Sequence, residues 1–219
     1  MSSENDGAII ILSSPSGAGK TTLVKKLITI ENFEISISYT TRIPRLNEKN
    51  GKDYYFINTK DFSELIKKNE LLEYAEVFSN FYGSSKKKVI DNLNLGKNVV
   101  FDIDWQGTKQ IKEKNLNYKL ISIFILPPSK KTLVNRLSER EKNDEKIINQ
   151  RMEKFEIDVK HWADYDFVVI NDDLETCFNE IKDIITKNLN NKLFKIDHKK
   201  IENHVKNLLT WFSYSLQIL

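Results

Sequence analysis

The chain alternates between short, almost wholly apolar runs and longer segments whose apolar residues recur at helical spacing. Apolar runs without alternation are typical of strands buried on both faces of a parallel sheet. They occupy residues 8–12, 98–104, 120–126 and 167–170. Helical spacing predicts helices over residues 21–28, 86–95, 129–140 and 174–189, and over most of the charged segment 141–160. Strands that alternate with helices in this way predict an α/β fold with a mainly parallel sheet flanked by helices.

The pattern changes between residues 33 and 85. Short alternating segments at 35–39 and 53–57 are separated by a polar stretch that contains Gly51, and they predict antiparallel strands of a small lobe. A helix is predicted over residues 59–68, with Thr59 as its N-cap, and a further strand over residues 71–75. We therefore expect a small lobe inserted into the α/β core.

Composition and charge narrow the function classes to which the chain can belong. Its 219 residues fit one compact domain, and a net charge of +3 with dispersed Lys and Arg gives no sign of a nucleic-acid partner. The single cysteine, Cys177, excludes an intramolecular disulfide, and its apolar surroundings predict a small buried side chain rather than a nucleophile. No apolar run approaches the roughly 20 residues of a membrane span, and residues 1–7 lack the features of a secretory signal. We expect a cytoplasmic protein without a membrane partner.

A glycine-rich segment links the first predicted strand to the first predicted helix, and it reads SPSGAGKT from Ser14 to Thr21. Glycines allow consecutive backbone N–H groups to point at phosphate oxygens, and the N-terminus of the following helix favours negative charge. In such loops the lysine, here Lys20, reaches the β- and γ-phosphates, and the hydroxyl of Thr21 ligates Mg²⁺. The strict pattern begins with glycine where this chain has Ser14. The predicted ATP-binding residues are Ser14, Pro15, Ser16, Gly17, Ala18, Gly19, Lys20, Thr21 and Thr22.

Two carboxylates, Asp102 and Asp104, lie at the C-terminal end of the second apolar run. A second metal-linked carboxylate is expected at this place in phosphate-loop proteins, and strand alternation places both side chains on one face. One of them would hold Mg²⁺ through water and the other would contact substrate. The sequence does not assign the two roles individually.

Several further segments follow the phosphate loop in a fixed order. They read SYTTRIPR at residues 38–45, GKDYYF at 51–56, FYGS at 81–84, DIDWQG at 102–107 and INDD at 170–173. Together with the loop they closely resemble the bacterial-type guanylate kinases, a family of phosphate-loop nucleoside monophosphate kinases. The resemblance is colinear from about residue 7 to residue 189. It implies a P-loop NTPase core with a small inserted GMP-binding lobe and a helical lid.

The resemblance implies an acceptor site for GMP. The residues at the matching positions are Ser38, Arg42, Arg45, Tyr54, Glu73, Tyr82 and Ser84, together with Asp102 and Asp104. Arginines and tyrosines would grip the phosphate, which suits a dianion. Glu73, with Ser38 and Ser84, would read the guanine, because one carboxylate can accept both the N1–H and the N2 amino hydrogens that adenine lacks.

The resemblance also implies a catalytic set on the donor side. Arg136, Arg140 and Arg151 match the arginines of the family's lid and would join Lys20 in neutralising the transferring phosphoryl group. The chain departs from the family pattern directly after Arg140, where Glu141 stands in place of the usual glycine. The missing glycine affects the expected geometry of the loop at this point, and therefore the placement of Arg140.

The implied activity is transfer of the γ-phosphoryl group of ATP to GMP, with Mg²⁺ as cofactor, and ADP and GDP as products. The implied arrangement is a kinase-like domain over residues 1–190, with core segments 7–34, 86–127 and 166–190, an acceptor lobe at 35–85 and a lid at 128–165. Two alternatives stay open. Scaffold domains of this fold bind peptides without catalysis, and a related kinase could act on another phosphorylated acceptor.

Residues 191–219 form a predicted C-terminal helical extension. Apolar residues at helical spacing and an aromatic cluster mark it: Ile201, Val205, Leu208 and Leu209, then Trp211, Phe212, Tyr214 and Leu216. An amphipathic helix packed on the core is one interpretation. A contact with another subunit, which would make the protein a homo-oligomer, is the other.

Overall fold

The computed structural model describes residues 7–210. Nine strands and eight α-helices lie within that range. The strands are β1 (Ile9–Ser13), β2 (Phe33–Ile35), β3 (Tyr39–Thr40), β4 (Tyr55–Phe56), β5 (Leu71–Val77), β6 (Asn80–Ser85), β7 (Asn98–Asp102), β8 (Leu120–Leu126) and β9 (Phe167–Ile170). The helices are α1 (Lys20–Leu27), α2 (Thr59–Lys67), α3 (Lys86–Asn94), α4 (Trp105–Glu113), α5 (Lys130–Arg140), α6 (Glu145–Val159), α7 (Leu174–Leu189) and α8 (His198–Thr210), with a 3-10 helix at Lys160–Asp164.

Five strands form one sheet in the order β2-β7-β1-β8-β9. β2 runs parallel to β7 and β8 runs parallel to β9. All five residues of β1 are buried, as is nearly all of β8, because strands with helices on both faces of a sheet have no solvent side. The predicted α/β fold with a mainly parallel sheet is confirmed.

The described residues divide into two compact units, one made of residues 7–11 and 24–121 and the other of residues 12–23 and 122–210. The first unit contains a second sheet, in the order β4-β3-β6-β5. β6 runs antiparallel to both β3 and β5. Phe62 of α2 is buried and stacks on Phe81 of β6 with 5.5 Å between ring centroids. This sheet and α2 lie within residues 39–85, the part of the chain where the sequence predicts a small lobe.

Two details of the predicted lobe are wrong. The alternating segment 35–39 is not one strand, because β2 pairs with β7 in the five-stranded sheet and β3 belongs to the second sheet, where it runs parallel to β4. Alternation indicates a strand but carries no information on its partner. The N-cap of α2 is Asn58 rather than Thr59, since the Asn58 side chain accepts a hydrogen bond from the Asp61 backbone N–H at 2.8 Å.

The predicted strand over residues 98–104 ends earlier, at Asp102. Asp104 is the N-cap of α4, where its carboxylate accepts hydrogen bonds from the backbone N–H groups of Gln106 and Gly107. The expectation that Asp102 and Asp104 share one face of a strand is therefore wrong. The apolar pattern does not reveal α4 because this helix buries Gly107, Thr108 and Ile111, of which only one is a large apolar residue.

The second unit contains α7, whose bounds are those predicted, and α8. Cys177 of α7 is buried as predicted, and burial raises the pKa of its thiol to about 12. In α8 the buried residues are Ile201, Val205 and Leu208. The His204 ring Nε2 lies 2.9 Å from the Pro127 carbonyl oxygen. The described part of the extension therefore packs within its own chain, whereas Trp211, Phe212, Tyr214 and Leu216 lie outside the described residues.

Of the helices within residues 7–210, none is both long enough and apolar enough to cross a membrane.

Leu208 tests the packing of α8, because its side chain is only 2% exposed. We expect Leu208→Ala to lower the free energy of unfolding by about 2–5 kcal/mol, the usual cost of a leucine-sized cavity. Asn203→Ala, on the exposed face of the same helix, should change stability by less than about 0.5 kcal/mol. Urea unfolding of both variants measures the difference, and equal stabilities would contradict packing of α8 within its own chain.

Candidate functional site

The phosphate loop lies between β1 and α1, as predicted, and both of its glycines have positive φ: 91° at Gly17 and 95° at Gly19. A Cβ atom at Gly17 would lie 2.8 Å from the Leu133 side chain, and one at Gly19 would collide with the Asn171 side chain. The positive φ therefore favours glycine at both positions, and any other residue would also displace the Leu133 or Asn171 side chain. Ser14 does not have a positive φ, so the first position tolerates its side chain, whose hydroxyl donates to the Pro15 carbonyl oxygen at 2.9 Å.

Asn171, the residue directly after β9, contacts the phosphate loop through its side chain. Its side-chain Nδ2 donates to the Ala18 carbonyl oxygen at 2.7 Å across 153 residues. Asn171 lies in the INDD segment that carries part of the family resemblance, but the sequence offered no signal for this contact. The asparagine holds the loop in its turned conformation and is a site residue that sequence reasoning missed.

Two of the three predicted lid arginines meet the loop at one atom. Ser16 Oγ accepts hydrogen bonds from Arg140 Nη2 at 2.8 Å and from Arg151 Nη1 at 2.9 Å. Glu141 lies between the two arginines, and its Oε1 is 2.8 Å from Arg140 Nε and 3.0 Å from Arg151 Nη2. The carboxylate offsets the repulsion of two adjacent guanidinium groups. The residue that replaces the usual glycine is thus compatible with placement of Arg140 at the loop.

Arg136 of α5 reaches Asn171, to whose carbonyl oxygen its Nη2 donates over a long 3.5 Å. Its Nη1 is buried and has no hydrogen-bond partner among the described residues. A buried guanidinium nitrogen without a partner is costly, and an anionic ligand would satisfy it. Lys20 begins α1, and Thr21 and Thr22 are exposed in its first turn, so the whole predicted donor set belongs to the second unit.

The predicted acceptor residues belong to the first unit, where a glutamate already engages the arginines. Arg42 Nη2 donates to both carboxylate oxygens of Glu48, at 2.7 and 2.9 Å. Glu48 also accepts from the backbone N–H of Arg45 at 2.8 Å. Burial alone would raise the pKa of Glu48, but these hydrogen bonds hold it below its ordinary value. For Arg42, burial lowers the pKa and the bond to Glu48 raises it, with a net rise.

Tyr54 and Tyr82 lie beside the same arginine. Their rings meet edge to face at 5.9 Å, and the Arg42 guanidinium lies 5.4 Å from the Tyr54 ring centroid. Burial, followed by the charge of Asp102, raises the pKa of Tyr54 well above its ordinary value. Tyr54 therefore keeps its proton at neutral pH and can donate a hydrogen bond. Arg45, by contrast, has a side chain 58% exposed to solvent.

Glu73 of β5 is buried, with 3% of its surface exposed. Its Oε1 accepts a hydrogen bond of 2.6 Å from the Ser84 hydroxyl of β6. Ser38 is also buried, in the short link between β2 and β3. Burial of a carboxylate is costly unless it is hydrogen-bonded. Glu73 is therefore not an ordinary surface charge that serves only solubility. The structure brings Glu73 and Ser84 together as the sequence motifs predict.

The predicted metal ligands are oxygen donors: the Thr21 hydroxyl and the carboxylate of Asp102 or Asp104. The Asp104 carboxylate is engaged in capping α4, whereas Asp102 ends β7 half-buried. No group of three or more His, Cys, Asp or Glu side chains suited to a metal ion occurs between residues 7 and 210. Hydroxyl and carboxylate oxygens fit Mg²⁺, which is commonly held by one or two protein groups together with substrate phosphates and water.

Comparisons with known proteins span most of the chain. The sequence model of the guanylate kinase family matches residues 6–188, a span that includes every candidate site residue. The chain is 42% identical over 207 residues to the guanylate kinase of Ruegeria pomeroyi, which covers 94% of this chain and 96% of that one. It is 48% identical over 185 residues to the guanylate kinase of Buchnera aphidicola from Acyrthosiphon pisum, covering 83% and 88% of the two chains.

A solved structure agrees with the sequence comparisons. The crystal structure of guanylate kinase from Anaplasma phagocytophilum matches with a TM-score of 0.69 at 36% identity, over 84% of this chain and 87% of that one. Likeness of fold, motif order and sequence all point the same way. The chain belongs to the guanylate kinase family.

Proposed function

We propose that the chain transfers the γ-phosphoryl group of ATP to GMP through the residues described above. The observation that carries this proposal is the buried Glu73 carboxylate, bonded to Ser84, in the same unit as the cluster of Arg42, Tyr54 and Tyr82. A phosphate loop is common to many nucleotide enzymes. A buried carboxylate that accepts two adjacent N–H groups selects guanine.

On the donor side we assign the loop backbone, Lys20 and Thr22 to the phosphates of ATP, and the three lid arginines to the transferring group. A phosphate oxygen of GMP attacks the γ-phosphorus, and the bond from that phosphorus to the β–γ bridging oxygen breaks, which leaves ADP. The attacking oxygen is already anionic at neutral pH, so no strong general base is required. Catalysis then consists of positioning and charge neutralisation by Lys20, Arg136, Arg140 and Arg151.

Mg²⁺ is the cofactor that the donor set fits. Thr21 would ligate it directly, and Asp102 or Asp104 would contact it through water. When bound with ATP, the ion would offset phosphate charge during transfer.

On the acceptor side we assign Arg42, Arg45, Tyr54 and Tyr82 to the GMP phosphate, and Glu73, Ser84 and Ser38 to the guanine. Glu48 holds Arg42 through both carboxylate oxygens. A phosphate dianion carries more charge than a carboxylate, so it can share or exchange this guanidinium. The lobe at residues 35–85 and the lid at 128–165 are the segments to which we assign acceptor binding and closure.

The acceptor panel is the most direct test of the proposed function. Purified protein with ATP and Mg²⁺ should release ADP at least about 100-fold faster with GMP than with AMP, UMP or CMP, because only guanine offers Glu73 two adjacent donors. A coupled ADP assay at equal acceptor concentrations measures this. Equal rates with all four acceptors would contradict the assignment.

Glu73→Ala separates a GMP kinase from the open alternatives. We expect kcat/KM for GMP to fall by about 100-fold or more, because the guanine N–H groups lose their acceptor. ATP binding by calorimetry should be unchanged. Full activity of the variant would indicate another phosphorylated acceptor. A wild-type chain that does not bind ATP would instead indicate a scaffold domain.

The ion pair of Glu48 gives a pH-dependent prediction. The folded-state pKa of Glu48 lies below its ordinary value, so its contribution to stability is complete above the unfolded pKa of about 4.3 and is lost as pH falls through the folded value. We expect Glu48→Gln to lower the free energy of unfolding by about 1 kcal/mol at pH 7. The difference from wild type should shrink as the pH is lowered below about 4.

Urea unfolding at pH 7 and at a pH well below about 4 measures this difference. Glu64→Gln is the matched control, because Glu64 forms an exposed ion pair with Lys67 at 2.8 Å, and such pairs contribute little. A loss of stability in Glu48→Gln that stays constant with pH would contradict a role for the charge.

A further inference from the structure

Helix α4 is fastened to β5 by one side chain. Gln110 Nε2 donates to the Tyr74 carbonyl oxygen at 2.6 Å, and the Tyr74 backbone N–H donates to Gln110 Oε1 at 3.1 Å. β5 is an edge strand of the second sheet, so the amide pairs with backbone groups that would otherwise lack a strand neighbour. The contact falls on the residue directly after Glu73.

One turn earlier in α4, Gly107 faces the Glu73 carboxylate. A Cβ atom at position 107 would lie 2.5 Å from Glu73 Oε2 and 3.1 Å from Glu73 Cδ. The other carboxylate oxygen is held by the Ser84 hydroxyl at 2.6 Å. The carboxylate is therefore confined between a hydroxyl on β6 and a helix surface that bears no side chain.

The helix backbone does not itself require this glycine. Gly107 does not have a positive φ, and alanine is the better helix former at such a position. A glycine that is unfavourable for its own helix needs another reason, and the space taken by Glu73 supplies one. Gly107 and Gln110, three residues apart, lie on the same face of α4.

We propose that Gly107 and Gln110 are positioning residues that set the location of the Glu73 carboxylate and thereby determine purine selectivity. This rests on the proposed role of Glu73 in reading guanine. Both carboxylate oxygens must face the base for N1–H and the N2 amino group to be bonded together. Displacement of the carboxylate by a methyl group loses the second bond first, because the spacing of the two donors is fixed by the ring.

IMP carries hypoxanthine, a purine that has N1–H but lacks the N2 amino group of guanine. The ratio of kcat/KM for GMP to kcat/KM for IMP therefore reports whether the Glu73 carboxylate still reaches the N2 amino group. We expect Gly107→Ala to raise KM for GMP at least about tenfold and to lower the GMP/IMP ratio by about tenfold. KM for ATP should stay within about twofold of wild type. The melting temperature should stay above the assay temperature, so that unfolding does not account for the higher KM for GMP. Gln110→Ala should move KM for GMP and the ratio in the same direction.

Lys109→Ala is the control on the same helix, because the Lys109 side chain is 69% exposed; it should leave the ratio unchanged. Glu73→Asp provides a rescue test, since a shorter carboxylate leaves room for a methyl group at position 107. The Gly107→Ala/Glu73→Asp double variant should lose less selectivity, relative to Glu73→Asp alone, than Gly107→Ala loses relative to wild type.

Two results would overturn the inference: an unchanged GMP/IMP ratio in Gly107→Ala, or equal increases in KM for GMP and for ATP, which would indicate general damage. Failure of the proposed function looks different, because the wild-type protein itself would then show no preference for GMP over AMP. A wild-type preference for GMP that persists in Gly107→Ala removes only the role of α4.

Discussion

The turn of the phosphate loop depends on space left by missing side chains. Gly17 and Gly19 take up positive φ angles, and a Cβ atom at either would meet Leu133 or Asn171. The loop can therefore curl tightly and still be covered closely by its neighbours. That same turn brings Ser16 to the place where Arg140 and Arg151 donate to a single hydroxyl oxygen. A wider loop would separate these groups, and the arginines would have no common point of attachment.

Positive charge is the second constraint, because guanidinium groups held close together and partly buried repel one another. In each unit, a glutamate beside the arginines offsets this repulsion. Glu141 lies within 3.0 Å of both Arg140 and Arg151, and Glu48 engages Arg42 and the backbone of Arg45. Each glutamate is itself an anion that a phosphate can replace. A phosphate that binds these arginines would therefore compete with Glu48 or Glu141 for them.

The sequence could predict much of the fold because its strongest patterns are local. The apolar runs at β1, β8 and β9 and the helical spacing of α7 were recognisable without a structure, since burial on both faces leaves an unbroken apolar run. The prediction was wrong where it depended on which neighbouring strand a segment pairs with. The segment from Ile35 to Tyr39 reads as one strand, yet its two ends belong to different sheets. The apolar pattern does not reveal helix α4, because only one of its three buried residues is large and apolar.

By itself the sequence determined the family, the phosphate loop and the identity of the candidate site residues, because motifs in a fixed order are a property of the chain alone. Only the tertiary structure decided which of them touch. It brought Asn171 to Ala18 across 153 residues, placed Glu141 between two arginines and set Gly107 against Glu73. It also separated Asp104, which caps a helix, from Asp102, which ends a strand. Contacts between residues distant in sequence depend on how elements pack, and no local pattern of residues encodes that.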